Sequence, residues 1–254
     1  MISPLAYVDA SAKLGANVTV HPFAYIDKNV EIGDDCEIMP HVSIMSGTRM
    51  GKRNRIFNGA VIAAEPQDFN YKGDDTIVEI GDDNVIRENV VINRATNSDG
   101  KTVIGNGNFL HEGVHVSHDT HIGNHSVFGY GSKISGNCMI EDYVIFGGNV
   151  LVSQGCRVGT WSMTQTGCRF RKDVPPYIVA ALEPTTYYGV NSVILMHEGM
   201  SEKIVKHISH AYRIIYQGNT SIFDALLMKD QVPMSDEIQH IIDFISASKL
   251  GIIK

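Results

Sequence analysis

Large apolar residues return every six positions along most of this chain. One unbroken run extends from Val8 to Ile62 and another from Ile104 to Val158. In the second run a smaller residue follows most of these positions four residues later, as Thr120 follows Val116. A period of six fits neither an α-helix, which repeats every 3.6 residues, nor an ordinary strand, which repeats every two. A fixed period of this kind indicates stacked structural units, and we interpret it as a hexapeptide-repeat parallel β-helix.

The period also predicts which residues lie above one another. If each hexad forms a short strand and a corner, three hexads close one triangular coil, and residues 18 apart lie one strand spacing, about 4.8 Å, apart. His118, Gly136 and Gln154 are separated by 18 residues each. We therefore expect an imidazole, a backbone without a side chain and a carboxamide to form a column about 10 Å long on one edge of the prism.

The repeat is interrupted twice. The segment near 63–77 is polar and contains Pro66 and Gly73, and the segment near 93–103 contains an Asn-Ser-Asp-Gly-Lys run. Both compositions are typical of loops, so we predict two loops that leave the coil. Loops on a rigid scaffold often carry ligand contacts, which makes both segments candidates for a site.

The pattern changes at Asp173-Val174-Pro175-Pro176-Tyr177, because a pair of prolines does not continue a regular strand or helix. We place the domain boundary here, with a β-helix over residues 1–172 and a helical domain over 173–254. Serine caps and helical periodicity predict the helices of the second domain. They are a short helix over 191–198, one capped by Ser201, one from Ser221 through Met228, and one capped by Ser235.

Composition narrows the class of protein. The chain has 254 residues, 43% of them hydrophobic and 19% charged, with a net charge of −7. This acidic balance argues against nucleic-acid binding. Residues 1–168 hold 12 basic and 19 acidic residues, whereas 169–254 hold nine of each, so the second region is the more suitable for an acidic partner. No signal peptide and no transmembrane segment is predicted.

The four cysteines all occupy the small-residue position of the hexad, at Cys36, Cys138, Cys156 and Cys168. Residues at this position face the tightly turned backbone at the corners. We therefore predict four buried free thiols rather than disulfides or metal ligands, and a reducing, cytoplasmic location.

Five histidines lie within fifteen residues, between His111 and His125. Zinc ligands must converge to about 2 Å from the ion. His115 and His121 occupy equivalent positions on successive faces of one coil and therefore point in different directions. We predict no metal site, although a zinc shared between subunits, as in trimeric carbonic anhydrases with this type of scaffold, is an alternative.

His118 is a candidate general base, because Asp119 follows it directly and can fix its tautomer. The backbone N–H of Gly136 is a candidate oxyanion donor. No serine or cysteine nucleophile is indicated, so direct transfer is favoured over a covalent intermediate. From the repeat alone, histidines exposed on a polar face are the main alternative to this interpretation.

Four motifs taken together resemble the UDP-N-acetylglucosamine O-acyltransferases, which catalyse the first step of lipid A biosynthesis. The motifs are His115-Val116-Ser117-His118-Asp119, Asp68-Phe69-Asn70-Tyr71, the Asp173–Tyr177 junction and Gly189-Val190-Asn191. The resemblance covers essentially the whole chain. Hexads alone are shared by many transferases, so the combination carries the resemblance. The chain starts directly in hexads, unlike the related N-acyltransferase, which has an extra N-terminal domain.

The resemblance implies a left-handed β-helix, a homotrimer with active sites between the prisms, and no cofactor. It implies transfer of an (R)-3-hydroxyacyl chain from acyl carrier protein to the 3-hydroxyl of UDP-N-acetylglucosamine. His118 would be the base, Asp119 would orient it, and the Gly136 amide would bind the oxyanion. The implied substrate contacts are Asp68, Phe69, Asn70, His115, Asn137, Gln154, Asn191 and His197. Basic residues of the junction and tail would receive the acidic carrier.

Some positions depart from the family pattern. Asn70 replaces a lysine of the sugar loop, Asn137 and Ser153 each replace a histidine, and His197-Glu198 replaces an arginine pair. These departures concern nucleotide and sugar contacts and leave the base, its aspartate and the oxyanion glycine in place. An acetyl-CoA-dependent acetyltransferase and a non-catalytic scaffold are the remaining alternatives on the same fold.

Overall fold

A computed structural model describes residues 1–217 and 232–254 of the chain. The chain coils as a left-handed parallel β-helix, and its successive strands stack into three sheets. A short helical region follows the coil. This architecture confirms the predicted fold class. Within the described residues, none of the helices combines the length and the apolar character that crossing a membrane requires.

The first sheet contains nine strands and the second contains eight. The strands of the first sheet are β1 (Tyr7–Val8), β4 (Tyr25–Ile26), β7 (Ser43–Ile44), β10 (Val61–Ala64), β13 (Val91–Asn93), β16 (His115–Val116), β19 (Lys133–Ile134), β22 (Leu151–Val152) and β25 (Arg169–Phe170). Those of the second are β2 (Lys13–Leu14), β5 (Glu31–Ile32), β8 (Thr48–Met50), β11 (Ile77–Ile80), β14 (Lys101–Ile104), β17 (His121–Ile122), β20 (Met139–Ile140) and β23 (Arg157–Val158).

The third sheet contains ten strands. They are β3 (Thr19–Val20), β6 (Glu37–Ile38), β9 (Arg55–Ile56), β12 (Val85–Ile86), β15 (Phe109–Leu110), β18 (Val127–Phe128), β21 (Ile145–Phe146), β24 (Met163–Thr164), β26 (Ile178–Ala181) and β27 (Thr186–Val190). All pairs between named strands are parallel except β26 with β27. The sheet thus continues past residue 173, where the sequence indicated a boundary, because the chain returns after the two prolines and Val179 pairs with Met163.

Register follows the period of the sequence. Val116 pairs with Ile134, and Ile134 pairs with Val152, so each pair is 18 residues apart. All three side chains are buried inside the prism, at 0 to 2% exposure. Three residues after such an apolar position the chain turns in the left-handed region, as at Asp119 (φ 57°) and Asn137 (φ 59°). Asn and Asp tolerate this conformation better than most residues, which accounts for their frequency at the corners.

Two loops leave the coil at the same corner, between the first and second sheets. The first connects β10 to β11 over residues 65–76, and the second connects β13 to β14 over residues 94–100. His118 lies at this corner too, between β16 and β17, one coil beyond the second loop. The fold therefore brings both loops to the edge that carries the candidate base.

The helices are α1 (Ser192–His197), α2 (Glu202–Gln217) and α3 (Asp236–Ser246). Ser201 and Ser235 accept hydrogen bonds from the backbone N–H groups three residues later, as expected of N-caps. The helix predicted from Ser221 to Met228 falls outside the described residues. Helix α2 docks on the coil through Tyr212, whose buried hydroxyl donates to the Pro176 carbonyl at 2.6 Å.

All four cysteines are buried free thiols, as predicted. Burial raises the pKa of both Cys138 and Cys156 to about 12, so neither forms a thiolate at neutral pH. A neutral buried thiol behaves as a small apolar side chain, which fits the small-residue position of the hexad that the cysteines occupy.

Candidate active site

The predicted column lies on one edge of the prism. The Asn137 N–H donates to the His118 carbonyl, and the Gly155 N–H donates to the Gly136 carbonyl, both at 3.0 Å. A methyl group on Gly136 would lie 2.5 Å from the Cε1 and Nε2 atoms of His118. The imidazole thus packs directly against a backbone that only glycine leaves open, and the Gln154 side chain is exposed one coil further.

His118 is buried, and its Nδ1 side is fully engaged. Nδ1 lies 2.8 Å from Asp119 Oδ2 and 2.9 Å from the hydroxyl of Thr96. An ionised carboxylate only accepts hydrogen bonds, so Nδ1 carries the proton and Nε2 keeps its lone pair. The left-handed backbone at Asp119 turns its carboxylate back toward the preceding residue. The local fold therefore sets the tautomer that a general base requires.

Asp68 approaches the other side of the imidazole. Its Oδ2 lies 3.6 Å from His118 Nε2 and accepts a hydrogen bond from the Thr96 hydroxyl at 3.2 Å. Its Oδ1 accepts from the backbone and side-chain nitrogens of Asn70, at 2.9 and 3.1 Å. The Asn70 backbone hydrogen bond is the main cause that lowers the pKa of Asp68, so this carboxylate is ionised near neutral pH.

The other predicted contacts near the column differ in exposure. Phe69, next to Asp68, is fully exposed at the surface of the first loop. His115, on β16, is partly buried, and burial lowers its pKa, with further contributions from Lys133 and His118. Asn137 is exposed at the corner just after Gly136. In the sequence, each of these residues lies within three positions of Asp68, His118 or Gly136.

Asn191 and His197 lie elsewhere on the chain. Asn191 precedes helix α1 and is 4% exposed, and its amide group donates to the Trp161 carbonyl at 3.0 Å. His197, in the last turn of α1, is exposed and paired with Glu198 at 2.9 Å. Within residues 1–217 and 232–254, no hydrogen bond or ion pair joins either residue to the column around His118.

Sequence reasoning missed Thr96. It lies in the second loop, and its backbone N–H donates to Asp119 Oδ2 at 3.1 Å, while its hydroxyl contacts both His118 and Asp68. The signal that could have found it was the pair of loops on one corner, since a polar residue of either loop can reach the base. In the described part of the chain, no three His, Cys, Asp or Glu side chains converge as metal ligands.

Comparison with known proteins connects this geometry to a family. Residues 173–253 match the family model for the second domain of UDP-N-acetylglucosamine O-acyltransferase, and residues 101–136 match the bacterial transferase hexapeptide repeat. An acyl-[acyl-carrier-protein]–UDP-N-acetylglucosamine O-acyltransferase of Xanthomonas axonopodis is 41% identical over 100% of this chain and 98% of the relative. The chain belongs to this acyltransferase family.

Solved structures support membership of the O-acyltransferase family. A UDP-N-acetylglucosamine acyltransferase from Bacteroides fragilis covers 100% of both chains, with a TM-score of 0.99 and 51% identity. The enzyme of the same family from Acinetobacter baumannii covers 100% of this chain and 99% of its own, with a TM-score of 0.96 and 32% identity. The resemblance stated from the sequence motifs is thereby confirmed, as is the class of enzyme.

Proposed function

We propose that this acyltransferase moves an (R)-3-hydroxyacyl chain from acyl carrier protein to the 3-hydroxyl of UDP-N-acetylglucosamine, as the first step of lipid A biosynthesis. The names of its relatives support the two substrates. The observation that carries the chemistry is the contact between His118, whose Nε2 has a lone pair, and the side-chain-free backbone of Gly136.

His118 acts as the general base. Its Nε2 takes the proton of the acceptor hydroxyl while that oxygen attacks the thioester carbon of the donor. Asp119, 2.8 Å from Nδ1, stabilises the imidazolium that forms. The carbon–sulfur bond then breaks, and the imidazolium returns the proton to the carrier thiolate. The step conserves atoms and charge and needs no covalent enzyme intermediate.

The Gly136 amide acts as the oxyanion donor. Within the described residues, its N–H donates to no acceptor of the protein, whereas the amide of its neighbour Asn137 is engaged by the His118 carbonyl. A backbone donor that faces a developing oxyanion lowers the barrier, and losing one typically costs about 10²–10³-fold in rate.

A basic groove continues from the column and fits the acidic carrier. Lys172 lies 18 residues beyond Gln154 in the sequence. It lines a groove of about 850 Å³ together with Ser153, Arg169 and Arg171. Positive charge at this end of the column suits the approach of an acidic protein whose arm delivers the thioester.

The active enzyme is a homotrimer in this proposal. Asn191 and His197, the implied nucleotide contacts, lie away from His118 within one chain, and a neighbouring chain would supply them across a cleft. Mixed assemblies test this point. Chains with His118→Ala and chains with Asn191→Ala, each inactive alone, should together regain part of the activity if sites are shared between chains.

Turnover tests the proposal directly. UDP-N-acetylglucosamine is incubated with a ladder of (R)-3-hydroxyacyl carrier proteins, and in parallel with acetyl-CoA, and the product is identified by mass. We expect a 3-O-hydroxyacyl product only with the carrier. Product from acetyl-CoA alone would instead indicate an acetyltransferase.

His118→Ala is the matching test of mechanism, with an expected loss of about 10²–10⁴-fold in kcat, since a general base contributes about that much. His121→Ala is the control, because His121 belongs to the same histidine cluster but is exposed on the second sheet. It should keep near-normal turnover. Substantial residual turnover in a folded His118→Ala protein would contradict the base assignment.

A further inference from the structure

Thr96 is the point where the second loop, the first loop and the base meet. Its hydroxyl lies 2.9 Å from His118 Nδ1 and 3.2 Å from Asp68 Oδ2. Its backbone N–H donates to Asp119 Oδ2 at 3.1 Å. Thr96 itself is 2% exposed, so water does not compete for these contacts. One residue thus touches the base, its orienting carboxylate and the carboxylate of the first loop.

The chemistry of the partners fixes the direction of each hydrogen bond. The Asp119 and Asp68 carboxylates only accept, so the Nδ1 proton of His118 points toward Asp119 and the Thr96 oxygen. The single hydroxyl proton of Thr96 is therefore left for Asp68 Oδ2. This bond holds Oδ2 at 3.6 Å from His118 Nε2, a distance beyond that of a hydrogen bond.

Removing the hydroxyl would leave Asp68 Oδ2 without a donor while Asn70 still holds Oδ1. The nearest donor would then be Nε2 of protonated His118, and closing the remaining gap would form an ion pair. Apart from the Asp68 and Asp119 carboxylates, His115 also interacts with the imidazole, and burial lowers the pKa of His115, which favours its neutral form and so does not oppose that pair. A base held as an ion pair has no lone pair for the acceptor hydroxyl.

We propose that Thr96 is a positioning residue that ties Asp68 away from the base nitrogen of His118 and so keeps that nitrogen free to take a proton. The inference rests on the proposed role of His118 as the base. In this proposal the second loop contributes to the reaction by placing the Thr96 hydroxyl between the His118 imidazole and the Asp68 carboxylate.

The test is Thr96→Val, which keeps the shape of the side chain and the backbone N–H and removes only the hydroxyl. The readout is kcat/KM against pH, whose acidic limb reports protonation of the base in the free enzyme. We expect this limb to move by about one unit to higher pH, because a new carboxylate partner favours the protonated imidazole. The loss should be about ten-fold below the limb and small at high pH, and Thr96→Ser should restore the normal profile.

Two controls separate this effect from general damage. Thr48→Val removes another fully buried hydroxyl, one that donates to the Met45 carbonyl at 2.8 Å, and should leave the profile unmoved. The double variant Asp68→Asn with Thr96→Val lacks the carboxylate, so its limb should match that of Asp68→Asn alone. If Thr96→Val does not fold, Thr96→Ala, measured in the same way, takes its place.

The inference would be overturned by a Thr96→Val profile that is lowered equally at every pH or is unchanged, while His118→Ala shows its expected large loss of kcat. If His118→Ala itself kept normal turnover, the proposed mechanism would fail rather than the role of Thr96. The two failures are therefore distinguishable in one set of assays.

Discussion

Two corners of the coil are built from the same hexad but differ in the side chains that stack there. One corner lies between the second and third sheets, and the other carries His118. At the corner between the second and third sheets, four amides, each two residues after a buried apolar position, donate to an Asp or Asn oxygen of the next coil, at 2.7 to 2.8 Å. The donors are Lys52, Asp82, Asn106 and Asn124, and the acceptors are Asp82, Asn106, Asn124 and Asp142. We call this series the Asx ladder.

At the His118 corner, glycine occupies the equivalent position of the next coil. Gly136 offers no side-chain oxygen to the His118 amide, and within the described residues neither that amide nor the Gly136 amide has an acceptor. The same coil can therefore be stabilised at one corner and left with unused donors at another. The comparison shows that the absence of a side chain at Gly136 leaves these amides without an acceptor and also makes room for the His118 imidazole.

The largest expected effect comes from converting the His118 corner into a ladder with Gly136→Asn. The backbone there is not in the left-handed region, so asparagine is tolerated, and its oxygen could accept from the His118 amide. Its Cβ, however, would lie 2.5 Å from the imidazole and displace it. We expect kcat/KM to fall about 10²–10⁴-fold, the range expected when a general base is displaced, while the protein stays folded.

Circular dichroism and thermal melting check the fold of that variant, and steady-state turnover checks its rate. Near-normal turnover in a folded Gly136→Asn protein would show that the open backbone is not required. If Gly136→Asn lost both its fold and its activity, loss of the site could not be distinguished from loss of stability. Gly136→Ala, which adds only the Cβ, is therefore measured beside it. Gly136→Ala should show a similar loss of rate.

Asn124→Ala in the Asx ladder should have a smaller effect of a different kind: it should lower stability and leave activity nearly unchanged. Asn124 Oδ1 accepts from the backbone and side-chain nitrogens of Asn106, at 2.8 and 2.9 Å. Losing these bonds should lower the free energy of unfolding by about 1–2 kcal/mol. Urea unfolding measures the loss, and kcat should stay within about two-fold of normal, as expected for a change that only affects stability. A large loss of kcat would mean that the ladder also serves the reaction.

The period of the sequence predicted the column but not Thr96. Between Ile104 and Val158 no residue is inserted, so counting by 18 places Gly136 and Gln154 above His118. The two loops break that count: the ladder partners Lys52 and Asp82 are 30 residues apart, and Asp82 and Asn106 are 24 apart. A loop residue does not follow the six-residue period, so the position of Thr96 depends on tertiary packing alone.

The end of the coil was also only partly predictable. The prolines at 175 and 176 indicated a stop, yet they lie at a corner, and Ile178–Ala181 returns to the third sheet. A proline pair excludes regular structure at its own position but does not determine the conformation of the residues after it. The N-caps of the helices, by contrast, are local interactions, and Ser201 and Ser235 could be predicted from the sequence.

The smallest expected effect concerns the upper end of the ladder, where helix α3 docks. His240 Nε2 lies 2.9 Å from Glu141 Oε2, and the Tyr177 hydroxyl lies 3.2 Å from His240 Nδ1. The hydrogen bond to Glu141 raises the pKa of His240 above its usual value, against the effect of burial. A raised pKa in the folded state stabilises the protein below the unfolded value, about 6.5, and the contribution disappears as pH rises through the folded value.

His240→Gln removes this titration while it keeps a side chain that can form hydrogen bonds to Glu141. The free energy of unfolding should differ between wild type and variant by less than about 1 kcal/mol, because the pair is partly exposed. That difference should be largest near about pH 6 and shrink toward about pH 9. Urea unfolding at several pH values measures it, and a difference that does not change with pH would refute the ion pair. Since Glu141 lies on the ladder side of the coil and His240 on helix α3, kcat should be unaffected throughout, in contrast to the variants at the His118 corner.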